Sequence, residues 1–206
     1  MKCRFKSEIE LGQRGYTMLE LLMVIAIAGI LVAVALPSLQ DTISRNARDS
    51  IQLDVLTSLA LARSQAVTLS TTASVCHSAN QTSCSNSAGS DWNDGWLVFS
   101  DFDSDGVVDS ADGDTLLQVH PPASGVVAIE LLNRSNNTIT NEVVQFDDDG
   151  FLNNSIGGAY FKFCDSANVA ANTRAIWVSN TGRSSQSIDD GDGLHDDLAG
   201  NNLVCP

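Results

Sequence analysis

Apolar residues dominate one continuous stretch near the N-terminus, "MLELLMVIAIAGILVAVALP" at residues 18–37, interrupted by a single acid, Glu20. Met18–Leu36 is 19 residues long, close to the roughly 20 that carry a helix across a bilayer. Beyond Pro37 the pattern becomes periodic. Ile43, Ala47, Ile51, Val55, Leu59 and Ala66 recur near helical spacing, and Arg45, Arg48, Asp49, Asp54 and Arg63 largely fill the other face. This predicts one helix to about residue 68. Pro37 is a candidate kink, because proline removes a backbone donor and clashes with the preceding turn.

From Thr71 onward the period shortens. The runs "GWLVFSD", "VVAIELL", "EVVQFDDDG", "AYFKFC" and "RAIWVSNTG" are β-rich and are separated by clusters of Gly, Asn, Ser and Asp. The pattern predicts an α+β fold in which a long N-terminal helix, hydrophobic and then amphipathic, packs on antiparallel β-sheet. The Asn/Ser/Asp-rich stretches 77–94 and 184–202 read as loops.

Charge narrows the function classes. With 11 Lys and Arg against 25 Asp and Glu the formal charge is −14. The first 15 residues hold Lys2, Arg4, Lys6 and Arg14 against Glu8 and Glu10, so removing them leaves 7 bases against 23 acids, a net −16. Such a surface argues against broad electrostatic binding to nucleic acid and suits solubility or cation binding.

An ordinary secretory signal is cut after its apolar stretch, but here Ala33 and Ala35 run into Pro37 and a patterned polar helix. Gly15 offers a cut before the apolar run, which would leave the hydrophobic helix on the mature protein. Cys3 would go with the removed segment, and Cys76, Cys84, Cys164 and Cys205 would remain. An even set in an exported chain reads as two disulfides formed in an oxidising compartment. Of three pairings, the preferred one joins Cys76 to Cys84 and Cys164 to Cys205.

These residues carry a family resemblance. "RGYTMLELLMVIAIAGILVAVALP" resembles the class III signal of type IV pilins and type II secretion pseudopilins: a basic leader, Gly15 at the cleavage position, an aromatic at the new N-terminus and Glu20 as the fifth mature residue. Pro37 falls where pilin helices commonly have a proline. Further along, "LARSQAV", "WNDGWLVFSD", "VQFDDDG", "FKFC" and "NTGR" resemble, in that order, the GspH/FimT family of minor pilins and pseudopilins. The resemblance implies a leader at 1–15, a membrane and filament-core helix at 16–38, and a periplasmic globular domain at 39–206 whose helix reaches about 68 before a β-rich region at 71–206. It also implies cleavage after Gly15 by a prepilin peptidase, methylation of the Tyr16 amine, residence as a single-pass inner-membrane protein, and then packing beside other pilins or pseudopilins through the N-terminal helix. A carboxylate at the bilayer centre costs about 2.5–3.5 kcal/mol on insertion scales and is a functional candidate by default. An ammonium at Tyr16 of a neighbouring subunit would offset that cost by pairing with Glu20; the alternative is that Glu20 sits at headgroup depth.

"DFDSDGVVDSAD" at 101–112 puts Asp at loop positions 1, 3, 5, 9 and 12 and Gly at 6, the ligand spacing of an EF-hand loop with Asp in place of the final Glu. Asp101, Asp103, Asp105, Asp109 and Asp112 would supply side-chain oxygens and Val107 its carbonyl to Ca²⁺. The bland alternative is a solvated acidic hairpin, since Asp and Gly are common in turns. "DDGDGLHDD" at 189–197 matches no ligand pattern and reads as a loop within the expected bridge from Cys164 to Cys205.

Catalytic signatures are absent: there is no GxxxxGK[ST] phosphate loop and no GxSxG elbow, and Cys76, His77 and Cys84 lack zinc-site spacing. His77, His120 and His195 fall in loop-like stretches without evident partners. The chain is not expected to be an enzyme. Some FimT-type members bind DNA through a C-terminal GRxR motif; this chain has Gly182, Arg183, Ser184 and Ser185, lacking the second arginine, and Arg174 is the other basic candidate. Three readings follow: a minor pilin of a type IV pilus, a type II secretion pseudopilin, and a DNA-binding uptake pilin.

Overall fold

A computed structural model describes residues 15–85, 87, 91–123, 127–139, 143–153, 158–165, 170–197 and 200–205. A single helix, α1 (Met18–Leu69), starts the fold. It enters two compact units, residues to Thr42 and residues from Ile43 onward. Thr17 caps its start, its hydroxyl accepting from Glu20 N at 3.2 Å and its carbonyl from Leu21 N at 3.1 Å. The helix continues through residue 37, whose side chain lies outside the described set, as do residues 1–14 of the leader expected at 1–15. It ends in a Schellman-type turn: Ser70 takes a left-handed φ of 51° and Thr71 N bonds back to Ala66 O at 3.2 Å.

In the second unit α1 buries Arg48, Gln52, Val55, Ser58, Leu59, Ala62 and Ala66. Apart from the neighbours Ser58 and Leu59, they recur every three or four residues and mark one helical face, but it is not the face the apolar residues alone mark out. Ile43 and Leu53 are exposed, and Arg48 is buried with Nη1 donating to Asn172 O at 2.5 Å and Nη2 paired with Asp49 at 2.8 Å. The long guanidinium stem covers core surface while its head finds a carbonyl and a carboxylate, so a residue assigned by polarity to the outer face lies inside. The inner face also carries small residues. Ser58, Ala62 and Ala66, four apart, are all fully buried.

Among the described residues eight strands follow: β1 (Thr72–His77), β2 (Trp96–Asp101), β3 (Thr115–His120), β4 (Val127–Asn133), β5 (Val143–Phe146), β6 (Ala159–Asp165), β7 (Arg174–Val178) and β8 (Ser184–Gln186). They form two antiparallel sheets, ordered β3-β2-β1-β5 and β4-β6-β7-β8. One apolar cluster joins Val55, Leu59 and Ala66 of α1 to Val75 and Val98 of the first sheet and to Phe161, Phe163 and Ile176 of the second. The fold is therefore α+β as the sequence pattern predicts.

The five β-rich runs become β2, β4, β5, β6 and β7. The pattern did not mark β1, β3 and β8. β1, "TASVCH", is buried at all six positions and central in its sheet, so it has no alternation to show; its identity comes from pairing on both sides. Trp92, in the stretch read as a loop, is fully buried in a 3-10 turn (Trp92–Asp94) and meets Phe161 edge-on at 4.9 Å. Asp91 holds that turn by accepting from Asn93 N and Ile129 N.

The histidines also differ from expectation. His77 is buried at the end of β1, and His120 ends β3, stacked on Trp96 with ring centres 3.6 Å apart and 3.3 Å from Asp54. His195 bonds Ser187 Oγ at 2.9 Å. Cys76 is bonded to Cys84 and Cys164 to Cys205. The second bond ties the C-terminal segment, whose Leu203 packs with Leu132, Tyr160 and Trp177, to β6.

Candidate functional site

The first unit presents an exposed apolar surface. Across Met18–Leu36 mean hydropathy is 2.8 and no part of the apolar window is buried. Leu19, Met23, Ile27, Ile30 and Val34 are each more than half exposed. Gly15 and Tyr16 lie exposed just before the first helical turn, so the bond between them is accessible. Its cleavage would free an amine one residue before the Thr17 cap, whose hydroxyl already holds the Glu20 backbone. Glu20 stands in the first turn. There the helix dipole and unsatisfied backbone N–H groups favour a negative charge. Thr17 and Glu20 have the spacing of a capping box, S/T-x-x-E, a local signal that the apolar run around it masks in the sequence.

The second feature is the acidic loop between β2 and β3. Strand register decides which acids meet. Ser100 pairs with Thr115, so Asp101 at the end of β2 and Asp114 just before β3 face each other at the loop's mouth. One carboxylate oxygen from each of Asp101, Asp103 and Asp114 lies within 4.8 Å of the others. The linear spacing pointed instead to Asp101, Asp103, Asp105, Asp109 and Asp112 with Val107. In the structure Asp105, Asp109 and Asp112 are not in that cluster. Asp105 Oδ1 accepts from Val107 N at 2.7 Å and Asp109 Oδ1 from Asp112 N at 3.1 Å, which fold the loop onto itself. An EF-hand loop is closed by helices; this one is closed by a hairpin, and the hairpin's register moves the partner of position 1 from Asp112 to Asp114.

Asp114 lies outside the twelve-residue motif, although its place before "TLLQVH" is a signal that strand pairing exposes. It accepts from Phe102 N at 2.9 Å and Asp109 N at 3.1 Å. Burial pushes the Asp101 carboxyl above its ordinary value, opposed by hydrogen bonds from Ser74, Gln145 and Gly106. Asp112, fully exposed, is also raised, by the neighbouring charges of Asp109 and Asp103.

The two arginines considered for DNA are not brought together. Arg174 begins β7, and Arg183 precedes β8 at the far end, since Val178 pairs with Ser184. Five residues of strand separate their positions, roughly 16 Å at the usual rise. The Arg174 guanidinium donates to Ala171 O and Thr173 O, and burial and Arg48 lower its proton affinity. Gly182, in the same motif, is required by the backbone: φ is +70° and an added Cβ would sit 1.9 Å from Gly150 O. Arg63 spans the same junction, Nε donating to Gly150 O at 3.0 Å and Nη2 to Thr181 O at 3.1 Å.

Among known proteins, the family described as type II transport protein GspH matches residues 53–182, from α1 through β7, and the prokaryotic N-terminal methylation motif matches residues 11–36. Fimbrial protein Q of Moraxella bovis is 59% identical over 35 residues, and fimbrial protein EcpC of Eikenella corrodens 56% over 34. These matches take in 17% and 16% of this chain, and only 22% of each relative's length is spanned. The crystal structure of the type IV minor pilin FimU of Pseudomonas aeruginosa superposes with a TM-score of 0.50 at 20% identity, over 70% of this chain and 90% of that one, which shows a shared pilin fold. Because the GspH match takes in the end of the helix and most of both sheets, the chain belongs to the GspH family of pilin-like proteins.

Proposed function

We propose that this protein is a minor pilin: a prepilin peptidase cuts after Gly15, the Tyr16 amine is methylated, and the mature chain leaves the inner membrane to join a type IV pilus through its N-terminal helix. The observation that carries the reading is the uncovered apolar helix with Glu20 in its first turn, next to the exposed Gly15–Tyr16 bond. In a filament each such helix loses its lipid neighbours and gains other pilin helices. Glu20, no longer solvated, accepts the ammonium of a neighbouring Tyr16 and sets the axial register.

Glu20 also has a local role at the helix start, and the test must separate the two. Glu20→Gln keeps a capping-box side chain and removes the charge. Membrane insertion of this variant remains normal while its recovery in sheared filaments falls at least tenfold. Recovery equal to wild type would refute the pairing.

The family description favours a second reading, a pseudopilin of a type II secretion machine. A deletion strain scored for pili and for secreted enzymes separates the two. A DNA-binding uptake role has less support, given the separated arginines and the acidic surface; a salt-sensitive gel shift at micromolar protein would revive it.

A further inference from the structure

Asp101 is fully buried, yet its two oxygens are treated unequally. Oδ2 accepts three hydrogen bonds, from Ser74 Oγ at 2.6 Å, Gln145 Nε2 at 2.9 Å and Gly106 N at 3.1 Å. Oδ1 is buried and has no hydrogen-bond partner among the described residues. Leaving a buried carboxylate oxygen unmatched costs more than an ordinary missing hydrogen bond, because a charged acceptor has lost its water. Asp101 also belongs to a cluster with two more carboxylates: one oxygen from each of Asp101, Asp103 and Asp114 lies within 4.8 Å of the others. Three acids this close, one of them buried with an unanswered oxygen, repel one another unless something positive lies between them.

We propose that Asp101, Asp103 and Asp114 bind a calcium-class divalent cation that fastens the β2–β3 loop to the first sheet. A Ca²⁺ ion holds oxygens at about 2.3–2.6 Å, so ligands on opposite sides of it lie up to about 5 Å apart, and the observed spacing fits inside that span. The donors are all carboxylates, which suits a hard cation rather than a soft one. They are irregular, one buried and the others nearer solvent, which suits the adaptable coordination of Ca²⁺ better than the strict octahedron of Mg²⁺. Loop waters complete the shell.

The ion's effect reaches beyond the loop. Asp101 receives its hydrogen bonds from β1 through Ser74 and from β5 through Gln145, so a cation on Oδ1 is coupled to three strands at once. Asp105, Asp109 and Asp112 stand close by, and their charges add to the attraction without supplying ligands. The site thus differs from an EF-hand in its closing residue, Asp114, and in resting on a sheet.

The test is calcium titration of the full chain in detergent, followed by calorimetry and by thermal unfolding, with MgCl₂ in parallel. Weak extracellular-type affinity is expected, with Kd about 10⁻⁴ M, and Tm is expected to rise by about 3–6 °C at ten times Kd. Asp103→Asn and Asp114→Asn each weaken Ca²⁺ binding at least tenfold, whereas Asp112→Asn stays within threefold of wild type. Asp103 is exposed, so its replacement tests the site without endangering the core. Absence of binding heat and of a Tm rise up to 10 mM CaCl₂ would overturn the proposal. So would wild-type affinity in Asp103→Asn and Asp114→Asn, or a loss in Asp112→Asn as large as in Asp114→Asn.

Discussion

Replacing Cys164 and Cys205 together by alanine removes the longer of the two cross-links. The bridge closes a loop of 41 residues in sequence. Constraint of the unfolded chain by such a loop corresponds to about 4 kcal/mol on the chain-entropy relation, against about 2.5 kcal/mol for the separation of 8 between Cys76 and Cys84. The full figure applies only if the cross-linked segment unfolds with everything else. It should, because the loop contains β7, which sits between β6 and β8 in the second sheet and places Ile176 and Val178 in the main core. A domain of this size is stable by about 5–15 kcal/mol, so the loss is a large share of the total. The assay is urea unfolding of the full chain in mild detergent, wild type and both double-alanine variants, extrapolated to zero denaturant. The Cys164/Cys205 variant should lose more stability than the Cys76/Cys84 variant and show a slightly steeper denaturant dependence, as its unfolded state expands. A loss below about 1 kcal/mol, or the reverse order of the two variants, would mean that the C-terminal segment opens independently of the sheet.

Two further outcomes follow from other parts of the molecule. Gly182→Ala should destabilise by about 2–4 kcal/mol, combining the left-handed backbone penalty with displacement of Gly150 O, and should weaken the junction that Arg63 spans; a change below about 1 kcal/mol in urea unfolding would contradict this. Burial holds His77 below the ordinary imidazole value, opposed by the charges of Asp94 and Asp91. Below pH 6.5 the unfolded chain therefore takes up a proton that the native His77 refuses, so stability falls with pH by at most about 1.4 kcal/mol per unit from this group, and His77→Phe should flatten the slope between pH 7 and 5. The same slope in His77→Phe as in wild type would show that His77 is not held neutral by the fold.

The parts of this fold that were legible in the sequence are those in which one kind of signal acts alone. Residues 18–36 are apolar throughout apart from Glu20, and nothing competes with a helix there. The strands β2 and β7 combine aromatic and β-branched residues between turn-forming clusters, β4 is rich in aliphatic and β6 in aromatic residues, and both cysteine bridges join residues that the structure holds side by side. The illegible parts depend on partners distant in sequence. β1 is a strand because β2 and β5 flank it. Arg48 is buried because Asn172, 124 residues later, offers a carbonyl. The acidic loop shows the same division: Asp101 and Asp103 could be chosen from spacing, but Asp114 could be chosen only by knowing that Ser100 pairs with Thr115.

The small residues on the inner face of α1 have a consequence for how the sequence can drift. Ser58 does two things there: it is small, and its hydroxyl accepts from Trp96 Nε1 at 2.9 Å. With Ala62 and Ala66 it forms a rail of small, fully buried side chains that faces the core. A rail of this kind works as a one-sided gauge. The large core residues opposite, such as Phe161 or Ile176, can exchange volume among themselves, but any growth on the rail lifts the helix along its whole contact and loosens every pair at once. Among descendants of this sequence, variation in the core should therefore accumulate on the sheets, while these three helix positions keep their size.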